Sequence, residues 1–117
     1  MLTLILPHPP SVNTYWGFSG HRRFLTDKAV AFKKSVHILF KQTKHGGFGD
    51  KPLAVEVLLN PPDKRIRDID NNIKSLLDAM CQAKIFTDDC QVSKITIQRG
   101  ATVKGGACVV KVMEYSI

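Results

Sequence analysis

Cysteine is scarce and shows no pairing pattern in this chain. The 117 residues include three cysteines, Cys81, Cys90 and Cys108, and none of them is part of a CxxC motif. An odd number without paired spacing argues against a disulfide framework or a structural zinc site and suits a reducing compartment. Long apolar runs are also missing, because the run Leu2–Leu6 ends at Pro7. That run is too short for a signal-peptide core or a membrane span, so we expect a cytoplasmic protein with no membrane partner.

Acidic residues are few compared with basic ones. Asp and Glu total 10 against 17 Lys and Arg, which gives a net charge of +7. Such an excess favours a polyanionic partner, because basic side chains neutralise phosphates and release their counterions. The charge alone does not distinguish nucleic acid from an anionic membrane surface.

The apolar pattern predicts one α+β domain spanning residues 1–117. A chain of this length supports one hydrophobic core, and a homodimer would bury further surface. The order β, α, β, α, β, β indicates a mixed β-sheet packed by two main helices. The predicted elements are strands at 2–6, 53–59, 92–99 and 107–115, helices from Thr26 to about 45 and from about 70 to 83, a partly ordered loop at 13–24, and a hairpin joining the last two strands across 104–106.

Charged residues of both signs are concentrated between residues 63 and 89. Asp68 and Asp70 are two residues apart, so both carboxylates point the same way if the chain approaches the helix in an extended form. Asp70 and Lys74 are four apart, which places them on one face of the predicted helix. Asp89 follows on a turn beyond the helix. We therefore expect Asp68, Asp70 and Asp89 to face a common cleft that Lys74 can also reach.

These residue types suit metal-dependent phosphodiester cleavage. Mg²⁺ prefers oxygen ligands, and a nearby lysine can stabilise charge on a phosphate. A structural interpretation is also open, because an aspartate pair before a helix is often an N-cap and an Asp–Lys pair four apart is often a solvated surface pair. Adjacent aspartates after a helix can simply form a turn.

Four segments resemble the RusA family of Holliday junction resolvases. Three of them follow the family's central pattern in order. RDIDNNIK at 67–74 is similar to the family's RDxDNxxK, LDA at 77–79 to its DAL, and IFTDDCQV at 85–92 to its DDxQV. The family's opening PPSxNxxY is similar to PPSVNTY at 9–15. Met80 stands where leucine is more usual in the family, which is a conservative change.

The resemblance implies a crossover junction endodeoxyribonuclease, a metal-dependent phosphodiester hydrolase of DNA recombination and repair. Family members are homodimers that bind four-way junctions and make paired symmetric nicks with Mg²⁺, and Mn²⁺ is an alternative cofactor. The family's ligands correspond to Asp68, Asp70 and Asp89, and its essential lysine to Lys74, which makes these four the expected catalytic residues. Asp88 precedes the matching aspartate and is expected to support Asp89 without binding the metal itself. A phage or prophage origin fits the family.

Further residues are expected to contact DNA, while two others keep open roles. Asp78 is either a site residue or a polar flank of the helix, and Trp16 either stacks on bases or anchors the core. Two alternative functions remain, a non-catalytic DNA-binding module and a metal-dependent flap or single-strand nuclease. The expected DNA-binding residues are Asn13, Arg22, Arg23, Lys64, Arg65, Arg67 and Lys104.

Overall fold

The computed structural model describes residues 1–116. Within this part of the chain, four strands form one mixed sheet in the order β1-β6-β4-β5, and β2 pairs only with β3 in a separate hairpin. The elements in chain order are β1 (Leu2–Leu6), α1 (Val12–Tyr15), β2 (Trp16–Ser19), β3 (Arg22–Leu25), α2 (Asp27–Thr43), β4 (Leu53–Asn60), α3 (Ile73–Gln82), a short 3-10 helix (Asp89–Gln91), β5 (Val92–Arg99) and β6 (Ala107–Glu114).

Alternation of apolar residues directs one face of the sheet toward the helices. In β1 the side chains of Leu2, Leu4 and Leu6 are buried and the residues between them are exposed, as expected for a strand with one covered face. The amphipathic helix α2 packs against β1 and against α3. Buried residues of both helices share one core with those of the sheet. This confirms the predicted α+β class with helices on a mixed sheet. The core includes Leu2, Leu4, Leu6, Phe32, Val36, Phe40, Leu53, Val55, Val57, Leu59, Leu76, Met80, Cys108, Val110 and Val112.

Helix α2 has a capping residue at each end. Thr26 is its N-cap, and the threonine side chain accepts a hydrogen bond from the Ala29 amide at 3.3 Å. The helix ends at Thr43, and its C-cap residue Lys44 adopts a left-handed conformation with φ of 59°. The predicted start at Thr26 and the predicted end near residue 45 are both confirmed.

The predicted hairpin of the last two strands is wrong. β4 lies between β5 and β6, parallel to β5 and antiparallel to β6, with Val57 opposite both Ile97 and Val110. The 100–106 link crosses the end of β4, where the Gly100 amide donates to the Leu59 carbonyl at 2.8 Å. The link between β5 and β6 is long enough to pass over one strand, so the two strands lie on opposite sides of β4.

Two further expectations need correction. Residues 13–24 are not a loop, since they form the short helix α1 and most of the β2–β3 hairpin. Helix α3 begins at Ile73 instead of about residue 70, because the preceding residues form turns in which the Asp70 carbonyl accepts from the Ile73 amide at 3.3 Å. Asp70 therefore precedes the helix and does not share a helical face with Lys74. None of the helices within residues 1–116 is long and apolar enough to cross a membrane.

Candidate active site

Lys74 lies between two carboxylates that come from different parts of the chain. Its ammonium nitrogen is 3.0 Å from Asp78 Oδ1, one turn further along α3, and 3.5 Å from Asp89 Oδ2 at the start of the 3-10 helix. The buried Tyr15 hydroxyl donates to Asp78 Oδ2 at 3.1 Å. We call Tyr15, Lys74, Asp78 and Asp89 the lysine cluster. It joins α1, α3 and the 3-10 helix.

The N-terminal segment 9–15 is fixed against the beginning of α3 by three hydrogen bonds. The buried Asn72 amide donates to the Pro9 carbonyl at 2.7 Å, and the Ser75 hydroxyl donates to the Pro10 carbonyl at 2.6 Å. The Val12 amide donates to the Asn71 carbonyl at 2.8 Å. Prolines provide carbonyl acceptors but no amide donor, and the side chains of Asn72, the N-cap of α3, and of Ser75 within α3 provide the matching donors. This docking explains why Tyr15 reaches a residue 63 positions away.

The surroundings of Lys74 and Tyr15 keep these two side chains in defined protonation states. The hydrogen bond to Asp78 and the charge of that carboxylate raise the pKa of Lys74, and Asp89 adds to the effect. Burial raises the pKa of Tyr15 well above its ordinary value, and the charge of Asp78 raises it further. Tyr15 is therefore a neutral donor and Lys74 a cation. The Lys74 side chain is 62% exposed, so an incoming phosphate can reach it.

A capping box forms the turn that carries Asp89. The Asp88 side chain accepts from the Cys90 amide at 2.9 Å, while the Gln91 side chain accepts from the Asp88 amide at 2.8 Å. The Gln91 amide group also donates to the carbonyls of Gly49 and Lys51 at 2.9 and 2.7 Å. The hydrogen bond from the Cys90 backbone lowers the pKa of Asp88. Asp88 thus fixes the turn in which Asp89 stands.

Asp68 and Asp70 lie on the exposed turns before α3. Asp68 lines an open groove of about 810 Å³, whereas Asp70, Lys74 and Asp89 lie outside its lining. Within residues 1–116 no group of three or more His, Cys, Asp or Glu side chains is placed to hold a metal ion. Carboxylates are the donors that Mg²⁺ prefers, so the chemistry of the set fits the ion. Their convergence stays a prediction, since like charges repel until a cation neutralises them.

Among the basic residues expected to bind DNA, Arg65 and Arg67 also hold the loop after β4. Asp63 is 2.7 Å from the Arg67 guanidinium and 3.3 Å from that of Arg65. The hydrogen bond from Arg67 holds the pKa of Asp63 well below its usual range, and the Arg65 backbone amide adds to this. Arg99 donates to the Arg67 carbonyl at 2.7 Å. Arg65 is 82% exposed and Arg67 only 25%, so Arg65 is the more accessible of the two.

The other expected DNA contacts lie on three surfaces. Asn13 lines the groove together with Arg65, Arg67 and Asp68. Arg22 and Arg23 lie on β3 and are exposed, and the Arg23 guanidinium carbon is 4.0 Å from the centre of the Trp16 ring. Lys64 and Lys104 are exposed in loops, and none of these basic side chains contacts the lysine cluster through a salt bridge within residues 1–116. Their contacts with DNA stay predictions.

Sequence reasoning missed the contacts of two residues that shape this site. Tyr15 was noted only as part of the family-like segment 9–15, yet it is 3% exposed and donates to Asp78. Asn72 is 5% exposed and bonds the Pro9 carbonyl. The available signal was their place inside two of the four family-like segments, 9–15 and 67–74, which suggested importance without showing the contact. The pairing of a segment at 9–15 with one at 71–78 is a tertiary relationship that no local pattern contains.

The domain carries an acidic turn and a lysine that is held between two carboxylates. Arginines also lie around an open groove. These are the side chains of a phosphodiester-cleaving enzyme. The fold and the site thus define a candidate nuclease. The family model described as Endodeoxyribonuclease RusA matches residues 7–113. The chain belongs to the RusA family of endodeoxyribonucleases, as the resemblance indicated, and is thus a member of a family of nuclease enzymes.

Curated relatives match nearly end to end. The chain is 38% identical over 110 residues to the crossover junction endodeoxyribonuclease RusA of Enterobacteria phage HK97, covering 94% of this chain and 92% of the relative. It is 28% identical over 112 residues to the enzyme of the same name from Shigella sonnei strain Ss046, covering 96% and 93%. It is 28% identical over 111 residues to that of Enterobacteria phage 82, covering 95% and 92%. The relatives include phage proteins, as expected for this family.

Proposed function

We propose that this chain is a Mg²⁺-dependent endonuclease that resolves four-way DNA junctions by paired symmetric nicks in recombination and repair. The names of the relatives, crossover junction endodeoxyribonuclease, support the substrate. The observation that carries the proposal is the exposed Lys74 ammonium, held 3.0 Å from Asp78 and 3.5 Å from Asp89 in a family of nucleases. A cation fixed beside carboxylates is suited to bind a phosphate at a defined position.

Each side chain of the site receives a role in this proposal. Asp68, Asp70 and Asp89 would hold Mg²⁺, with Mn²⁺ as an alternative, and the bound ion supplies an activated water and charge neutralisation. Lys74 contacts the scissile phosphate and stabilises the charge that develops on it. Asp78 restricts the lysine side chain through their 3.0 Å ion pair. Asp88 supports Asp89 by capping the turn in which it stands.

Basic residues around the site would contact the DNA backbone. Lys64 and Arg65 are exposed beside the groove, and Asn13 contributes an amide to the groove wall. The net charge of +7 favours binding through many phosphate contacts, which position the protein without reading sequence. A homodimer would present two such surfaces to the four arms of a junction.

A cleavage assay tests the proposal directly. End-labelled four-way junction, flap and linear duplex of matched length are incubated with the protein, with Mg²⁺ or with EDTA. We expect Mg²⁺-dependent nicks at symmetric positions in the junction, and loss of these nicks in Asp68→Asn. Asp50→Asn, which also removes an exposed carboxylate from a turn, serves as the matched control and should cleave normally.

Each alternative function predicts a different result. A non-catalytic DNA-binding module would bind junctions equally well with EDTA and would leave every strand intact. A flap or single-strand nuclease would cut the flap substrate in preference to the junction. Either result would overturn the proposed activity.

A further inference from the structure

The β2–β3 hairpin presents large aromatic side chains to solvent. Trp16 is 36% exposed, Phe18 is 72% exposed and Phe24 is 48% exposed. The hairpin turns at Gly20, whose φ of 63° suits glycine, and within residues 1–116 its strands pair only with each other. An isolated hairpin is marginally stable, and exposed aromatic rings add little to it without a partner. Three exposed rings in ten residues therefore indicate a contact surface.

The charge of the hairpin identifies the chemistry of the partner. Residues 16–25 contain Arg22 and Arg23 and no acidic residue. The Arg23 guanidinium lies over the Trp16 ring, with its central carbon 4.0 Å from the ring centre. An arginine stacked on an aromatic ring, beside further exposed rings, complements a ligand that carries both planar groups and negative charge.

Both faces of the hairpin carry this combination. Phe18 is paired with Arg23 across the strands, so their side chains share one face. Gly17 is paired with Phe24, whose ring occupies the space above the glycine; a Cβ on Gly17 would stand 2.5 Å from a ring carbon. Phe24 and Arg22 are two apart and therefore share the opposite face. A base could stack on either face with an arginine nearby.

The hairpin is anchored next to the lysine cluster. The Thr26 hydroxyl, just after β3, donates to the Thr14 carbonyl at 2.5 Å, and the Thr26 amide donates to the Tyr15 carbonyl at 3.2 Å. Tyr15 in turn bonds Asp78 through its hydroxyl. A substrate strand bound at Lys74 would therefore have the hairpin at its side.

We propose that residues 16–25 form a stacking platform for unpaired bases of the DNA substrate, with Phe18 as its main contact and Arg22 and Arg23 on the phosphates. This inference rests on the proposed function, since it takes DNA as the substrate. The centre of a branched molecule exposes base faces, whereas an intact duplex encloses them in its stack. The platform would thus contribute to the choice of branched over linear DNA.

Trp16 is the only tryptophan of the chain, so its fluorescence reports directly on the hairpin. The full-length protein in EDTA, where no cleavage occurs, is titrated with single-stranded oligothymidine and with a blunt duplex of matched charge. We expect the single strand to quench Trp16 emission more strongly than the duplex. Phe18→Ala should weaken single-strand affinity roughly fivefold to a hundredfold and change duplex affinity less than about twofold.

Control variants make the experiment decisive. Phe18→Tyr keeps the ring and should restore binding, while Ile5→Ala removes a side chain of similar exposure, 70%, and should have no effect on binding. Phe24→Ala tests the other face, and circular dichroism verifies that each variant is folded. Equal loss on single strand and duplex would overturn the platform. So would unchanged binding, or a Phe18→Ala effect limited to the oligomeric state, which would indicate a contact between two copies of the chain.

Two different results distinguish a failure of the stacking platform from a failure of the proposed junction cleavage. If the hairpin binds unpaired bases but the protein does not cleave junctions with Mg²⁺, the proposed function is wrong and the platform remains. If the protein resolves junctions and Phe18→Ala binds single strands as tightly as the unaltered protein, the platform is wrong and the proposed function remains.

Discussion

Lys74 is held by Asp78 at 3.0 Å, while its distance to Asp89 is 3.5 Å. The second oxygen of Asp78 accepts from the buried Tyr15 hydroxyl, so the carboxylate itself has a fixed orientation. A free lysine side chain samples many rotamers, which costs roughly 2 kcal/mol when they are restricted to one. The ion pair restricts the side chain before substrate binds. The folded protein has therefore already lost part of this side-chain entropy, and binding loses less.

Asp78→Asn should lower kcat roughly tenfold to a hundredfold, because Lys74 loses the charge that holds it near the reacting phosphate. Junction affinity should not fall, since the change removes a negative charge from the DNA-facing side. Single-turnover cleavage rates and filter-binding affinities, measured separately, test this split. A lower affinity with an unchanged rate would show that Asp78 acts only in binding.

Tyr15→Phe should reduce kcat in the same direction, though less, because Asp78 keeps its charge and loses only its fixed orientation. The buried hydrogen bond contributes about 1 kcal/mol to the free energy of unfolding, which denaturation should also show. Tyr115→Phe, at the chain's other tyrosine, is the matched control and should leave both quantities unchanged. Equal effects of the two substitutions would argue against a specific role for Tyr15.

Asp70→Asn should abolish cleavage while junction binding is preserved or tightened. The substitution removes an expected metal ligand and also one negative charge close to the DNA backbone. Lys74→Ala should likewise lose cleavage and fold normally, because its side chain is 62% exposed. Gel-shift assays in EDTA and nicking assays with Mg²⁺ measure the two properties. Nicking by Asp70→Asn at the normal rate would refute the assignment.

Much of the fold could be predicted from the sequence because local rules apply to it. The alternation of Leu53, Val55, Val57 and Leu59 gives a strand with one buried face, and all four are buried. Thr26 as N-cap follows from the preference of its hydroxyl for a free helix amide. Asp68, Asp70, Lys74 and Asp89 could be proposed as site residues because similar motifs occur at the same intervals in the family, and the convergence of their carboxylates stays a prediction.

The rest depends on tertiary contacts that sequence patterns do not contain. Alternation in β5 indicates a strand but not its neighbour, so the parallel pairing with β4 could not be distinguished from a hairpin with β6. The docking of segment 9–15 on the beginning of α3 depends on the Asn72 side chain, which donates to the Pro9 carbonyl. The hydrogen bond from Tyr15 to Asp78 joins the same two segments.

Gln91→Ala should destabilise the turn that carries Asp89. The Gln91 side chain accepts from the amides of Thr87 and Asp88 and donates to the carbonyls of Gly49 and Lys51. We expect a loss of about 1–3 kcal/mol in the free energy of unfolding, because these backbone groups lose their partner. Chemical denaturation measures the change. Gln82→Ala, an exposed glutamine at the end of α3, should change stability by less than about 0.5 kcal/mol.

His8 should make stability depend on pH in mildly acidic solution. Burial lowers its pKa from 6.5, and the positive charge of Arg67 lowers it further, while the Pro9 backbone and Asp63 act in the opposite direction. Below pH 6.5 the unfolded chain binds a proton that the folded chain resists, so the free energy of unfolding falls as the pH decreases through this window. One such group gives a slope of at most about 1.4 kcal/mol per pH unit. His8→Gln should flatten the curve there, and an unchanged slope would contradict the assignment.

A homodimer is the last expectation, and the geometry of the substrate supports it. A four-way junction has two-fold symmetry, and its resolution needs matched nicks in two strands of like polarity. One lysine cluster per chain cannot make both nicks in the same encounter, whereas a C2 dimer presents two sites related by the axis of the junction. Sedimentation equilibrium at micromolar concentration should therefore give twice the 13.0 kDa mass of the chain.

The same dimer predicts the salt dependence of binding. Two copies carry twice the net charge of +7, so junction affinity should fall steeply and linearly on a double-logarithmic plot against salt concentration. A mixture of active protein and excess Asp70→Asn, which forms heterodimers with one working site, should nick one strand and leave the opposite strand intact. The ratio of nicked to fully resolved junction on native and denaturing gels measures this. A strictly monomeric protein that makes single, uncoupled nicks would refute the resolvase proposal and leave a simpler metal-dependent nuclease.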